Sequence, residues 1–105
     1  MEGIVALTRD TFEAAAGRGA ALVEFYSPQC GHCRMQAPVM EEAAAGLAGR
    51  ATVGQINADA EGELAERFNV GVVPTHIFLQ DGEEKGRPVG VQKAETLISG
   101  IEELF

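Results

Sequence analysis

The sequence predicts an α/β fold in which a mixed central sheet, parallel in its core and antiparallel at one edge, carries helices on both faces. Three observations point there. Short apolar runs alternate with helix-forming stretches along the whole chain, the pattern of linked strand–helix–strand units. The run Ala20 to Tyr26 is apolar except for Glu24, as befits a strand covered on both sides by crossover helices. Near the end, Asp81-Gly82 separates an apolar run from a polar one, the signature of an antiparallel hairpin.

The elements follow in order. Residues 4–7 form a short apolar strand, and Thr8 or Asp10 is placed to cap a helix running to Ala16, stopped by Gly17-Arg18-Gly19. The strand 20–26 follows, with one carboxylate as its anomaly. Residues 30–48 are helix formers with Val39, Met40, Ala43 and Leu47 on one stripe, and Pro38 inside them predicts a kink. Residues 51–58 read as a second buried strand. Asp59 is placed to cap a helix that sets Leu64 and Phe68 on one side and ends at Asn69 or Gly71. The hairpin pairs 75–80 with 83–90, and Pro88 marks the latter as an edge. Residues 93–104 close the chain as an amphipathic helix with Leu97, Ile101 and Leu104 on one face and Ile98 beside them.

With 105 residues and 46% hydrophobic content, the chain predicts one domain, 1–105, without linker, repeat or low-complexity tract. The formal net charge is −8, from 16 acidic and 8 basic side chains, and the basic ones are scattered singly. That disfavours nucleic acid, whose phosphates need clustered Lys and Arg, and it disfavours an anionic membrane surface. No apolar stretch approaches the roughly 20 residues that span a bilayer. Met1-Glu2-Gly3-Ile4 shows no basic region followed by an apolar run, so the expected location is cytoplasmic and the expected state a monomer.

Two cysteines occur, Cys30 and Cys33. In a reducing compartment such spacing suggests chemistry or metal, and a bridge across so short a loop would restrict little of the unfolded chain. Cys30 follows a buried strand and the turn Ser27-Pro28-Gln29, and it opens a helix. Unpaired amides and the positive end of the helix dipole favour a thiolate there, below the ordinary thiol pKa of about 8.5. Cys33 lies one turn on, on the same side, poised to attack a mixed disulfide formed on Cys30. A metal half-site is the competing reading. Zinc usually takes four ligands, and Cys30, Cys33 and His32 supply at most three, so no metal is expected unless two chains share one.

The run from Leu22 through Cys30-Gly31-His32-Cys33 to Pro38, then Val73-Pro74-Thr75, then Gly90, resembles the thioredoxin family over nearly the whole chain. The resemblance implies the thioredoxin fold and a protein-disulfide reductase that serves electron transport and cell redox homeostasis. It also implies disulfide-containing target proteins, recharging by a thioredoxin reductase, and no cofactor beyond the redox-active cysteine pair.

It implies site roles as well. Pro74 follows a cis bond and faces the dithiol. Val73 and Thr75 beside it, Gln29 before the first cysteine, and Gly90 bind extended substrate, and Glu24 beneath Cys33 moves the proton during resolution. A carboxyl in an apolar strand has a raised pKa and suits a general base.

Three departures from the family pattern stand out. Gln29 and Tyr26 occupy positions where Trp is usual. Gly31-His32 resembles disulfide isomerase. His32 is able to stabilise the Cys30 thiolate, which moves the expected potential from about −270 mV towards about −180 mV. Gln55 replaces the Lys that commonly accompanies the buried acid, and the family fold sets His76 on the other side of Glu24, either as its substitute or as a core histidine satisfied by another partner. A disulfide oxidase or isomerase is therefore the first alternative function, and a metal-binding or scaffolding module the second.

Overall fold

The computed structural model describes residues 3–105. Met1 and Glu2, on which the expectation about a leader partly rested, lie outside the described residues. The elements are β1 (Ile4–Ala6), α1 (Phe12–Ala16), β2 (Ala20–Tyr26), α2 (Gly31–Leu47), β3 (Thr52–Asn57), α3 (Gly62–Arg67), β4 (Thr75–Gln80), β5 (Glu83–Gly86) and α4 (Ala94–Glu102).

The sheet order is β1-β3-β2-β4-β5. β1, β3 and β2 run parallel, β4 is antiparallel to β2, and β5 is antiparallel to β4, as the alternation predicts. From the edge strand β1 the chain passes inward over β3 through α1 to the central β2, and it returns outward to β3 through α2. Crossovers of one hand taken in opposite directions leave these helices on opposite faces. One core layer accordingly joins Phe12, Ala16 and Leu64 to Ala21, Val23, Phe25, Ile77 and Leu79. The other joins Met40, Ala43, Leu47, Leu97 and Ile101 to Ala20, Leu22 and Val53. β2 is covered on both sides, which is why it reads as an almost continuous apolar run.

Several details differ from the sequence reading. α1 begins after Thr11, and neither Thr8 nor Asp10 caps it through its side chain. The Thr8 carbonyl instead accepts from the Thr11 and Phe12 amides. Asp59 caps nothing: its carboxylate accepts from the Ser27 hydroxyl at 2.7 Å, and α3 starts after Glu61. α3 ends at Arg67, and Asn69 just beyond it turns the chain at φ +55, while the Asn69 amide reaches Glu66 O and the Val70 amide reaches Ala65 O. Gly71 is not needed.

The hairpin turns through Asp81 and Gly82, both at positive φ. Its second strand stops at Gly86, not at Gly90, after a register shift at Phe78/Leu79. The Arg87 side chain departs to Glu84 and to the Phe68 and Asn69 carbonyls, and Pro88 has no N–H to offer the ladder. Pairing resumes only as a bridge between Thr75 and Val89. α4 is shorter than predicted at both ends. Among the described residues, no helix is long and apolar enough to cross a membrane.

Candidate active site

The central strand β2 delivers the chain to the start of α2 through a tight turn. The Cys30 amide donates to Ser27 O at 3.1 Å, and the Ser27 hydroxyl anchors that turn to Asp59. Cys30 is the N-cap of α2, in extended conformation, and its sulfur takes the place of a capping oxygen by accepting from the Cys33 amide at 3.2 Å. Both cysteines are free thiols, Cys30 half-buried and Cys33 6% exposed.

These surroundings split the pair. The Cys30 thiol is drawn below its ordinary value, first by the hydrogen bond from the Cys33 thiol, then by the backbone amides of Cys33 and His32 and by the charge of Arg34. Burial, reinforced by the bond to Cys30, pushes the Cys33 thiol up to about 11. The first sulfur is thus the nucleophile, and the second keeps its proton until something takes it. The His32 side chain is exposed, and it is the backbone amide of this residue that favours the thiolate.

The bond Val73-Pro74 is cis, as the resemblance implies, and the Cys30 thiol lies 3.8 Å from Val73 O. Gly90, at φ +89, donates its amide to Pro74 O at 2.8 Å, so Pro74 joins the Gly90 loop to the dithiol. Gln29 is exposed beside Cys30. Thr75 stands apart from the other expected substrate contacts. It is 1% exposed and donates its hydroxyl to Val72 O at 2.7 Å, so it supports the loop from inside.

Glu24 is 1% exposed and pairs in register with Gln55 on one side and His76 on the other. Gln55 Nε2 donates to Glu24 Oε1 at 2.9 Å, filling the place of the missing Lys with a neutral amide. Burial outweighs this bond and raises the Glu24 carboxyl to about 7. Glu24, Tyr26, Ser27, Cys33, Arg34 and Gln55 line one open cleft of about 230 Å³, so the buried acid and the buried thiol share a path to solvent.

His76 occupies the expected neighbouring position but forms no hydrogen bond with the carboxylate. Its Nδ1 lies 3.4 Å from Pro88 O, which only accepts, so the ring hydrogen belongs on Nδ1 and Nε2 is a bare acceptor. Nε2 and Glu24 Oε2 are both buried without partners. Burial lowers the imidazole to about 4, which keeps it neutral near pH 7. A cationic stand-in for Lys is therefore not what this position supplies.

The sequence reading missed Gln36. It is fully buried, three residues beyond Cys33, and its amide pairs with both backbone groups of Gln92. The signal was available, since Gln36 falls on the helical stripe that holds Cys33 and Met40. Among the described residues, no group of three or more His, Cys, Asp or Glu is arranged to hold a metal ion.

A sequence model of the thioredoxin family matches residues 3–103. The thioredoxin of Chlamydia pneumoniae is 37% identical over 95 residues, which cover 90% of this chain and 92% of that protein. A thioredoxin of Staphylococcus saprophyticus is 37% identical over 99 residues, 94% of this chain and 95% of its own length. One from Staphylococcus aureus is 36% identical over 94 residues, 90% of each.

Proposed function

This chain belongs to the thioredoxin family and is a thiol-disulfide oxidoreductase, and from that premise we propose which of its residues perform the exchange and in what order. The Cys30 thiolate attacks one sulfur of a target disulfide. The target S–S bond breaks, a mixed disulfide forms on Cys30, and one target sulfur leaves as thiolate. Cys33 passes its proton to the Glu24 carboxylate, directly or through the shared cleft, and attacks the Cys30 sulfur. The second target thiol is released, the pair becomes a disulfide, and two electrons have passed from protein to target.

Glu24 suits this step because a carboxyl titrating at about 7 is both a competent acceptor and a competent donor near neutral pH. Val73, Pro74 and Gly90 form the wall against which an extended target segment lies, with Gln29 at its mouth. The observation that carries the reading is the Cys30 sulfur at the helix N-cap, held 3.2 Å from the Cys33 amide.

The oxidised pair is recharged by a thioredoxin reductase, and no cofactor beyond the two cysteines is invoked. In this reading the chain is a single domain, 1–105, that works as a cytoplasmic monomer in electron transport and redox homeostasis, engaging neither membrane nor nucleic acid. Gly31-His32 favours one other direction, net oxidation or isomerisation. Equilibration with glutathione separates the two, because an oxidant has a potential well above the reducing end of the range.

The test is to react Cys33→Ser with insulin under non-reducing conditions. A stable adduct on Cys30, with turnover abolished, is the expected result. Release of reduced insulin by that variant at the wild-type rate would refute the assigned order.

A further inference from the structure

We propose that Gln36 is a positioning residue for target recognition, because its buried amide fastens the Gly90 loop to the cysteine-bearing helix and so sets the groove in which an extended target segment lies. Gln36 Nε2 donates to Gln92 O at 3.0 Å and Gln36 Oε1 accepts from Gln92 N at 2.7 Å. The side chain thus acts as one rung of a β ladder, satisfying both backbone groups of a residue that has no strand neighbour.

The other backbone bonds of this loop run to β4 and to the cis proline that precedes it. The His76 amide donates to Pro88 O at 2.9 Å and the Gly90 amide to Pro74 O at 2.8 Å. Gln92 Nε2 folds back to Val89 O at 3.0 Å. Among the hydrogen bonds of the described residues, the Gln36 pair alone ties the loop to α2. The loop therefore spans the site, one end fixed to the cis-proline strand and the other to the helix that carries Cys33.

The residues flanking the clamp face outward. Met35, next to Gln36, is 62% exposed, and Val91, next to Gln92, is 42% exposed, with Val89 at 51%. The clamp holds these apolar side chains as a rim, which suits a polypeptide disulfide flanked by apolar residues better than a small disulfide. Replacing Gln36 by an apolar side chain leaves two backbone groups of Gln92 unpaired, and the loop must open to water to satisfy them. The Cys30 cap lies more than a turn away, so the effect falls on binding more than on sulfur chemistry.

The inference rests on the reduction of protein disulfides proposed above. Gln36→Met and Gln36→Glu are compared with wild type, using insulin and dithiobis(nitrobenzoate) as substrates. For Gln36→Met, the KM for insulin should rise about tenfold, the equivalent of two lost hydrogen bonds, with kcat within about twofold. The ratio of kcat/KM for insulin to that for the small disulfide should fall by the same factor. Gln36→Glu keeps the bond from the Gln92 amide and should fall between the two.

Hydrogen exchange at the Gln92 amide in the wild-type protein is the measurement that needs no variant to fold. Protection well above that of an open loop supports the clamp, and unprotected exchange overturns it. A wild-type insulin KM in both variants overturns the role in recognition. Failure of the wild-type protein to reduce insulin overturns the proposed function instead.

Discussion

Replacing Glu24 by leucine should change how stability depends on pH more than it changes stability at any one pH. The folded carboxyl titrates at about 7, against an ordinary 4.5. A raised carboxyl contributes stability that is fully present below 4.5 and is lost as pH rises through 7, because ionisation must then occur in a buried site. Over that interval, at roughly 1.4 kcal/mol per pH unit, the loss amounts to about 3 kcal/mol. His76 works in the opposite sense. Its imidazole is lowered from 6.5 to about 4, so the stability it contributes is present above 6.5 and is lost as pH falls through 4, again by about 3 kcal/mol.

The two slopes nearly cancel between 4.5 and 6.5, so the wild-type profile hides both, and only differences reveal them. Urea denaturation of the reduced proteins between pH 4.5 and 7.5 is the assay. The stability of Glu24→Leu relative to wild type should rise by about 3 kcal/mol from the acid to the neutral end. At a typical slope of about 1–3 kcal/mol per molar urea, that is a midpoint shift of at least about 1 M. His76→Leu relative to wild type should fall by a similar amount from pH 4.5 to 6.5, less the part of its titration that lies below the window. A difference that stays constant with pH for Glu24→Leu would refute the buried, proton-holding acid on which the resolution step depends. The double variant closes the cycle. A departure from additivity that itself changes by more than about 0.5 kcal/mol across this pH range shows that the facing carboxyl and imidazole titrate as a pair, whereas a constant departure reports packing alone.

The remaining predictions concern the thiols and the packing of the last helix. In the reduced protein, iodoacetamide should modify Cys30 first, with a rate midpoint below 9, while Cys33 stays protected until the pH approaches 11. Equal rates at the two sulfurs, read by peptide mapping, would contradict the asymmetry. Gly100→Ala should destabilise by about 1–2 kcal/mol even though alanine is the better helix former, because its Cβ would run into the Phe78 ring. The same ring lies close to Gly86, where a Cβ would come within 2.8 Å of Phe78 Cδ2, so its room to shift away from α4 is limited on the β5 side. An unchanged or raised melting temperature would show that the ring repacks.

What the sequence discloses here depends on whether a residue's partner is implied by topology or by chance of packing. Glu24 is legible because an acid inside an apolar strand is an anomaly, and its facing pair with His76 follows once β2 and β4 are adjacent and antiparallel. Their lack of a mutual hydrogen bond is not legible, since it turns on the Pro88 carbonyl claiming the imidazole from outside the ladder. The expected cap of α3 fails for the same reason. Asp59 has the right residue type at the right place, yet a serine from 32 positions away takes its carboxylate, and short polar side chains go to whichever donor the tertiary fold brings nearest.

Gln36 is the inverse case. The helical stripe that carries Cys33 and Met40 declares it buried, and a buried amide must be satisfied, so the sequence alone demands a partner without naming it. The structure supplies Gln92, across 56 positions, in the loop whose Gly90 amide is bonded to Pro74 O. The demand is what gives the clamp its force. A side chain that could turn to solvent would impose nothing on the loop, whereas one sealed in the core transmits the placement of α2 directly to the wall of the groove.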